Sequence, residues 1–147
     1  MPGTIRLHRV LAASPQKLYR AFTEADALAK WLPPNGFTCT VHHLEAKVGG
    51  SHRMSFRNFT TGASHAFGGD YLELVPGERL SYTDTFDDPG PPGAMQVTVT
   101  LTKVSVGTEL SVVQEGIPDA IPTEACYLGW QDSLANLARL VEPEIAE

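Results

Sequence analysis

Thr123-Glu124-Ala125-Cys126-Tyr127-Leu128-Gly129-Trp130-Gln131-Asp132-Ser133-Leu134-Ala135-Asn136-Leu137-Ala138-Arg139-Leu140-Val141 is the stretch on which the fold turns. Its apolar residues Tyr127, Trp130, Leu134, Leu137 and Val141 recur at spacings of three and four, the signature of one face of an α-helix. At ~1.5 Å per residue that helix is about 28 Å long. Glu124, Gln131, Asp132, Asn136 and Arg139 occupy the opposite positions, and Pro143 ends the pattern. Upstream, from about residue 36, the chain reads as strands. A lone long amphipathic helix after a run of strands has to bury its stripe on the sheet, which predicts an α+β domain with one shared core. The helix is expected to be the stability core of that domain.

Ahead of the strands, Thr4 to Ala12 alternate as a first strand, with Ile5, Leu7 and Val10 expected on one side. Ser14-Pro15 supplies an N-cap and a proline at the first helical position, opening a short helix through Leu18, Tyr19 and Phe22. Thr23-Glu24-Ala25-Asp26 resembles a second cap, followed by a helix carrying Leu28, Trp31 and Leu32. Pro33-Pro34-Asn35-Gly36 stops it. Strands are then expected over Phe37 to Leu44, His52 to Phe59, Ala66 to Val75, Arg79 to Phe86, Met95 to Val104 and Thr108 to Gln114, about seven in all with the first. Short connections among the last six favour antiparallel neighbours. Asp87 to Gly93, with three prolines and two glycines, cannot pair and is expected to be a lid or edge loop near one end of any cavity.

Composition narrows the function classes. The 147 residues fit one domain, residues 1–147, without a repeat or a linker. No apolar run approaches the ~18 residues of a membrane span, and the N-terminus begins in a polar alternation without a signal-like core. The expected compartment is the cytoplasm. Cys39 and Cys126 lack the CxxC spacing and read as reduced, packed thiols. With a net charge of −6 and 11 scattered basic residues, the chain has no patch for a nucleic acid. No membrane partner and no cofactor are expected, and a monomer or homodimer is.

Three motifs are set aside on physical grounds. Ser14-Pro15-Gln16-Lys17 matches Ser-x-x-Lys, but its partner motifs are absent and Ser14 stands where a helix cap belongs. Five histidines invite a metal, yet His42 and His43 are adjacent on a strand and should point to opposite faces, so no metal is expected. Gly49-Gly50 and Gly68-Gly69 are not followed by helices, so they read as bends that let the sheet curve rather than as phosphate cradles.

Polar residues on the predicted inner face carry more information. Leu80, Tyr82, Asp84 and Phe86 share one side of a strand, so if Leu80 faces the core, Asp84 does too. Gln114 shares a face with Leu110 and Val112, and His52 with Met54 and Phe56. A buried carboxylate needs a partner, hydrogen bonds or a proton. Asp84 and Gln114 are therefore either rim residues near strand ends or the polar contacts of an apolar pocket. His52 and Arg53 are the expected partners of Asp84.

Several local sequences together suggest a family: Ala29-Lys30-Trp31-Leu32-Pro33, Gly49-Gly50-Ser51-His52-Arg53-Met54, the hairpin Gly69 to Leu80, Gly107-Thr108-Glu109-Leu110, and Gly129-Trp130-Gln131-Asp132-Ser133-Leu134. In this order they resemble the SRPBCC (START-like, birch-pollen-allergen-like) superfamily. Within it they resemble the branch named after the C-terminal domain of the activator of the heat-shock protein 90 ATPase. The resemblance implies a helix-grip fold, in which a curved antiparallel sheet wraps a long C-terminal helix, with two short helices after the first strand and a cavity between sheet and helix. It places Trp31 and Phe37 near the cavity mouth.

On that basis the first expectation is binding of a small apolar or aromatic molecule. Trp130, Tyr127, Leu134, Met54, Phe56, Tyr82 and Phe86 would form walls, and Asp84, His52 and Gln114 would orient the ligand. The alternative from a different class is a cyclase- or hydrolase-type enzyme with Asp84 or His52 as general base. No residue is otherwise assigned to catalysis. A third reading is a chaperone cofactor acting through its surface. A cavity carboxylate hydrogen-bonded to histidine would favour the enzyme, purely apolar walls the binder, and no void the surface cofactor.

Overall fold

The computed structural model describes residues 2–87 and 93–146. Among these, seven strands and three helices follow in the expected order: β1 (Gly3–Leu11), α1 (Pro15–Thr23), α2 (Ala25–Trp31), β2 (Phe37–Leu44), β3 (Ser51–Asn58), β4 (Ser64–Val75), β5 (Arg79–Phe86), β6 (Met95–Val104), β7 (Gly107–Ile117) and α3 (Thr123–Val141). The strands form one antiparallel sheet in the order β1-β7-β6-β5-β4-β3-β2. This is the helix-grip arrangement, with β1 and β2 as the two edges. Most of the segment expected to be a lid, residues 88–92 of Asp87 to Gly93, lies outside the described residues.

Local chemistry sets the helix ends. Ser14 Oγ accepts a hydrogen bond from the Lys17 amide at 3.1 Å, the N-cap the sequence predicts. The second cap forms differently. Thr23 belongs to the end of α1, where its hydroxyl donates to the Tyr19 carbonyl at 2.9 Å. Glu24 takes the cap position of α2 without a side-chain bond to it, because its carboxylate accepts from Arg20 Nε at 3.0 Å.

Two expectations about strand faces are corrected. Val10 is exposed rather than paired with Ile5 and Leu7, since a period of two puts Leu11 on the inner side instead. Between Val41 and His43 the β2–β3 register slips, so His42 and His43 do not follow simple opposite-face geometry, and both are exposed. Among the described residues, no group of three His, Cys, Asp or Glu side chains is placed to hold a metal ion.

Gly68 and Gly69 mark a close approach of three strands. A Cβ at Gly69 would lie 1.9 Å from the Thr83 carbonyl oxygen, and one at Gly68 would lie 2.3 Å from that of His52. Only glycine lets β3, β4 and β5 approach this closely.

Helix α3 packs on β1, α1 and α2. Its buried apolar residues are Leu134, Leu137 and Val141, all in the C-terminal half, where they join a core of Ile5, Leu18, Trp31, Val99 and Leu110 among others. Ser133 Oγ donates to the Leu32 carbonyl at 2.6 Å, and Asp132 accepts from the Asn35 amide at 3.3 Å. These bonds hold the turn after α2 against the middle of α3. No described helix is long and apolar enough to cross a membrane.

Candidate functional site

Where α3 leaves the core, a cavity of about 240 Å³ opens to solvent between its N-terminal half and the sheet. Each wall comes from a different element. The sheet contributes Met54 and Phe56 from β3, His65 and Phe67 from β4, Tyr82, Asp84 and Phe86 from β5, Met95 from β6 and Gln114 from β7. Helix α3 supplies Cys126, Gly129, Trp130 and Ser133, and the turn after α2 supplies Leu32 and Pro34.

Aromatic rings dominate the sheet side. Phe56 meets Phe67 edge-on with centroids 4.8 Å apart, and Phe67 meets Phe86 at 6.2 Å. His65, which is exposed, stands beside Phe56 and Phe86 at 6.3 and 6.0 Å.

Two polar constellations interrupt this surface. In the first, His52 Nε2 lies 2.8 Å from Asp84 Oδ1. His52 is 1% exposed, and Asp84 keeps 17% of its side-chain surface. The two sit on β3 and β5 with β4 between them, and Gly69, which pairs with His52, puts no side chain in the way. His52 Nδ1 is buried without a hydrogen-bond partner. An orphaned N–H is the costlier defect, so the proton belongs on Nε2, which donates to the carboxylate. Burial pushes the Asp84 carboxyl above its ordinary value, and the hydrogen bond from His52 offsets only part of that. Burial and then the Asp84 charge push Tyr71 up to about 12, and Tyr82 rises well above its ordinary value for the same reasons. Both phenols stay protonated.

In the second constellation, Trp130 Nε1 donates to Gln114 Oε1 at 2.9 Å, and Gln114 Nε2 donates to Met95 Sδ at 3.3 Å. Gln114 thus bridges helix and sheet across the cavity. The Cys126 thiol is raised by burial, which keeps it a thiol rather than a nucleophilic thiolate.

The structure brings Met54, Phe56, Tyr82, Asp84, Phe86, Gln114 and Trp130 together in this wall. It places five other candidates elsewhere. Trp31 is fully buried beneath α1, with its Nε1 donating to the Ala21 carbonyl at 2.8 Å and its ring against Phe22, so it belongs to the core and not to the mouth. Phe37 lies behind the wall, with its ring 6.5 Å from that of Phe56. Tyr127 is turned toward β1, where its hydroxyl oxygen accepts from the Arg6 amide at 3.3 Å. Leu134 is one turn too deep and packs in the core. His52 stands behind Asp84, bordering a much smaller internal space with Phe22, Leu28 and Tyr71. Arg53 does not reach Asp84, because its guanidinium pairs with Asp87.

Some wall residues escaped the sequence reading but left a trace in it. Phe67 shares strand parity with Tyr71, Met95 with Val97, and Cys126 precedes Trp130 by one helical turn. Leu32, Pro34 and Ser133 come together only through the contact of the α2 turn with α3, which has no periodic signature.

Comparison with known proteins gives a consistent picture. The family described as Activator of Hsp90 ATPase homolog 1-like protein matches residues 12–142. A solved protein from Chromobacterium violaceum is 64% identical, with a TM-score of 0.96 over 98% of this chain and 100% of that one. A protein from Rhodobacter sphaeroides is 24% identical, with a TM-score of 0.83 and 95% of each chain covered. One from Nitrosomonas europaea is 22% identical, with a TM-score of 0.76 over 93% and 92% of the two chains. The last two bear on the fold alone. No functionally curated protein matches this chain.

Proposed function

The chain belongs to the Activator of Hsp90 ATPase homolog 1-like family, a branch of the SRPBCC superfamily, and from that premise we propose that it binds a small aromatic molecule between the sheet and the N-terminal half of α3. The observation that carries this reading is the wall itself: an open cavity of about 240 Å³, mostly apolar and aromatic, with two convergent polar groups at Asp84 and Gln114. Binding sites for small molecules have this composition, with apolar area for affinity and a few fixed polar atoms for orientation. An engineered apolar cavity of ~150 Å³ accepts benzene, so this one suits a ligand of one or two rings. Native mass spectrometry of freshly purified protein, followed by titration of the identified molecule while observing Trp130, tests the proposal. A cavity that stays empty against a panel of one- and two-ring compounds contradicts it.

The His52–Asp84 bond is the feature expected from the sequence to favour an enzyme, and it supports a second reading, proton transfer to or from a bound substrate. A carboxylate raised by burial, held by a histidine and facing a cavity is equipped for general acid–base work. Asp84→Asn separates the two. An orienting carboxylate loses ~1–3 kcal/mol of binding, whereas a general base loses turnover and keeps its ligand. The family description also suggests association with a chaperone, but a surface cofactor has no use for the cavity.

A further inference from the structure

We propose that the occupant of this cavity is an aromatic organic cation of one or two rings, with its positively charged nitrogen on Asp84. This deepens the binding reading above and rests on it. The first ground is charge. Among the described residues lining the cavity, Asp84 is the acidic side chain, neither lysine nor arginine is present, and the exposed His65 is the sole basic one. Arg53, which precedes Met54 on β3, is held by Asp87. The chain as a whole carries −6, so its long-range field also draws cations.

Donor supply is the second ground. An anionic ligand needs N–H or O–H groups to replace its water. Trp130 commits its N–H to Gln114, Gln114 donates to Met95 and Ser133 to Leu32, which leaves an anion the Tyr82 hydroxyl, close to the Asp84 charge, and the exposed His65 ring. A cationic ligand needs acceptors instead. His52 holds Asp84 through Oδ1, and no other hydrogen bond among the described residues reaches Asp84, so Oδ2 can accept from the ligand. Ring faces are the third ground. Phe56, Phe67, Phe86 and Tyr82 surround the same space, and desolvated aromatic faces stabilise a cation while giving nothing to an anion.

Three probes of nearly equal shape test this on the intact protein at neutral pH: 2-phenylethylamine (cationic), 2-phenylethanol (neutral) and phenylacetate (anionic), each titrated by calorimetry. The amine should bind at least ~10-fold more tightly than the alcohol, and phenylacetate should not bind measurably. In Asp84→Asn, the amine should lose its advantage and fall to the affinity of the alcohol. Equal binding of all three, or preference for phenylacetate, overturns the cation proposal and leaves the binding reading standing. No binding by any of them overturns both. If Asp84→Asn fails to fold by circular dichroism, the wild-type series alone decides.

Discussion

The two halves of α3 do different jobs on one helix. From Ser133 to Val141 it presents Leu134, Leu137 and Val141, none more than 2% exposed, and is held to the α2 turn by the Ser133 hydroxyl. From Thr123 to Asp132 no residue is buried, the N-cap position is Pro122 without a side-chain cap, and Gly129 sits in mid-helix with open space where a Cβ would be. Helix propensity and core packing both favour the C-terminal half. The N-terminal half gives up packing against the sheet and leaves a cavity. A helix that only stabilised the fold would carry a larger side chain at position 129 and close the gap.

The largest expected effect lies in the packed half. Leu137→Ala should cost ~2–5 kcal/mol, as fully buried leucines do. Trp130→Ala, despite removing a larger side chain, should cost only ~1–2 kcal/mol, mainly the lost bond to Gln114. Urea melts give both numbers. Equal losses would mean that Trp130 is as tightly packed as Leu137 and that the halves are alike.

A gain comes next. Gly129→Ala should stabilise the protein by ~0.5–1 kcal/mol, because alanine improves helix propensity and its methyl meets nothing. A destabilised variant in thermal melts would show that the space beside Gly129 is filled.

The smallest effect concerns pH. Asp84 is raised in the folded protein, so its folded state holds a proton that the unfolded chain releases. Its contribution to stability is therefore complete below the ordinary carboxyl value of 3.8 and is lost as pH rises through the elevated folded value. Burial beside His52, Tyr71 and Tyr82 drives the effect, and the hydrogen bond from His52 reduces it. Asp84→Asn removes this loss, so in urea midpoints the variant should gain on the wild type as pH rises above 3.8. A gap that stays constant or shrinks would show that Asp84 is at ease as a buried carboxylate, through a compensation stronger than His52 provides.

The same contrast explains what the sequence reveals. The packed half of α3 was legible because core residues repeat at the helical period, and the strands were legible because inward residues alternate. Alternation also brought out Asp84, Gln114, Tyr82 and Phe86. It could not separate wall from core, since Trp31 and Trp130 look alike in a pattern. The difference between them lies in tertiary geometry, with α1 covering Trp31 and Trp130 lining an open cavity. The place where His52 and Asp84 meet depends on the register of three strands at once and on two glycines whose importance is the absence of atoms. The loss of Arg53 to Asp87 turned on an ion pair outside the predicted inner face.

Gly129→Leu tests the central claim most directly, because it puts a side chain into the cavity from the helix side without touching the packed half of α3. Stability in urea and affinity for the neutral probe 2-phenylethanol are read on the same sample. We predict unchanged or increased stability, through a helix-propensity gain of ~1 kcal/mol, together with loss of probe binding. Lower stability with the probe still bound would show that the N-terminal half of α3 is part of the packed core and that the ligand site lies elsewhere.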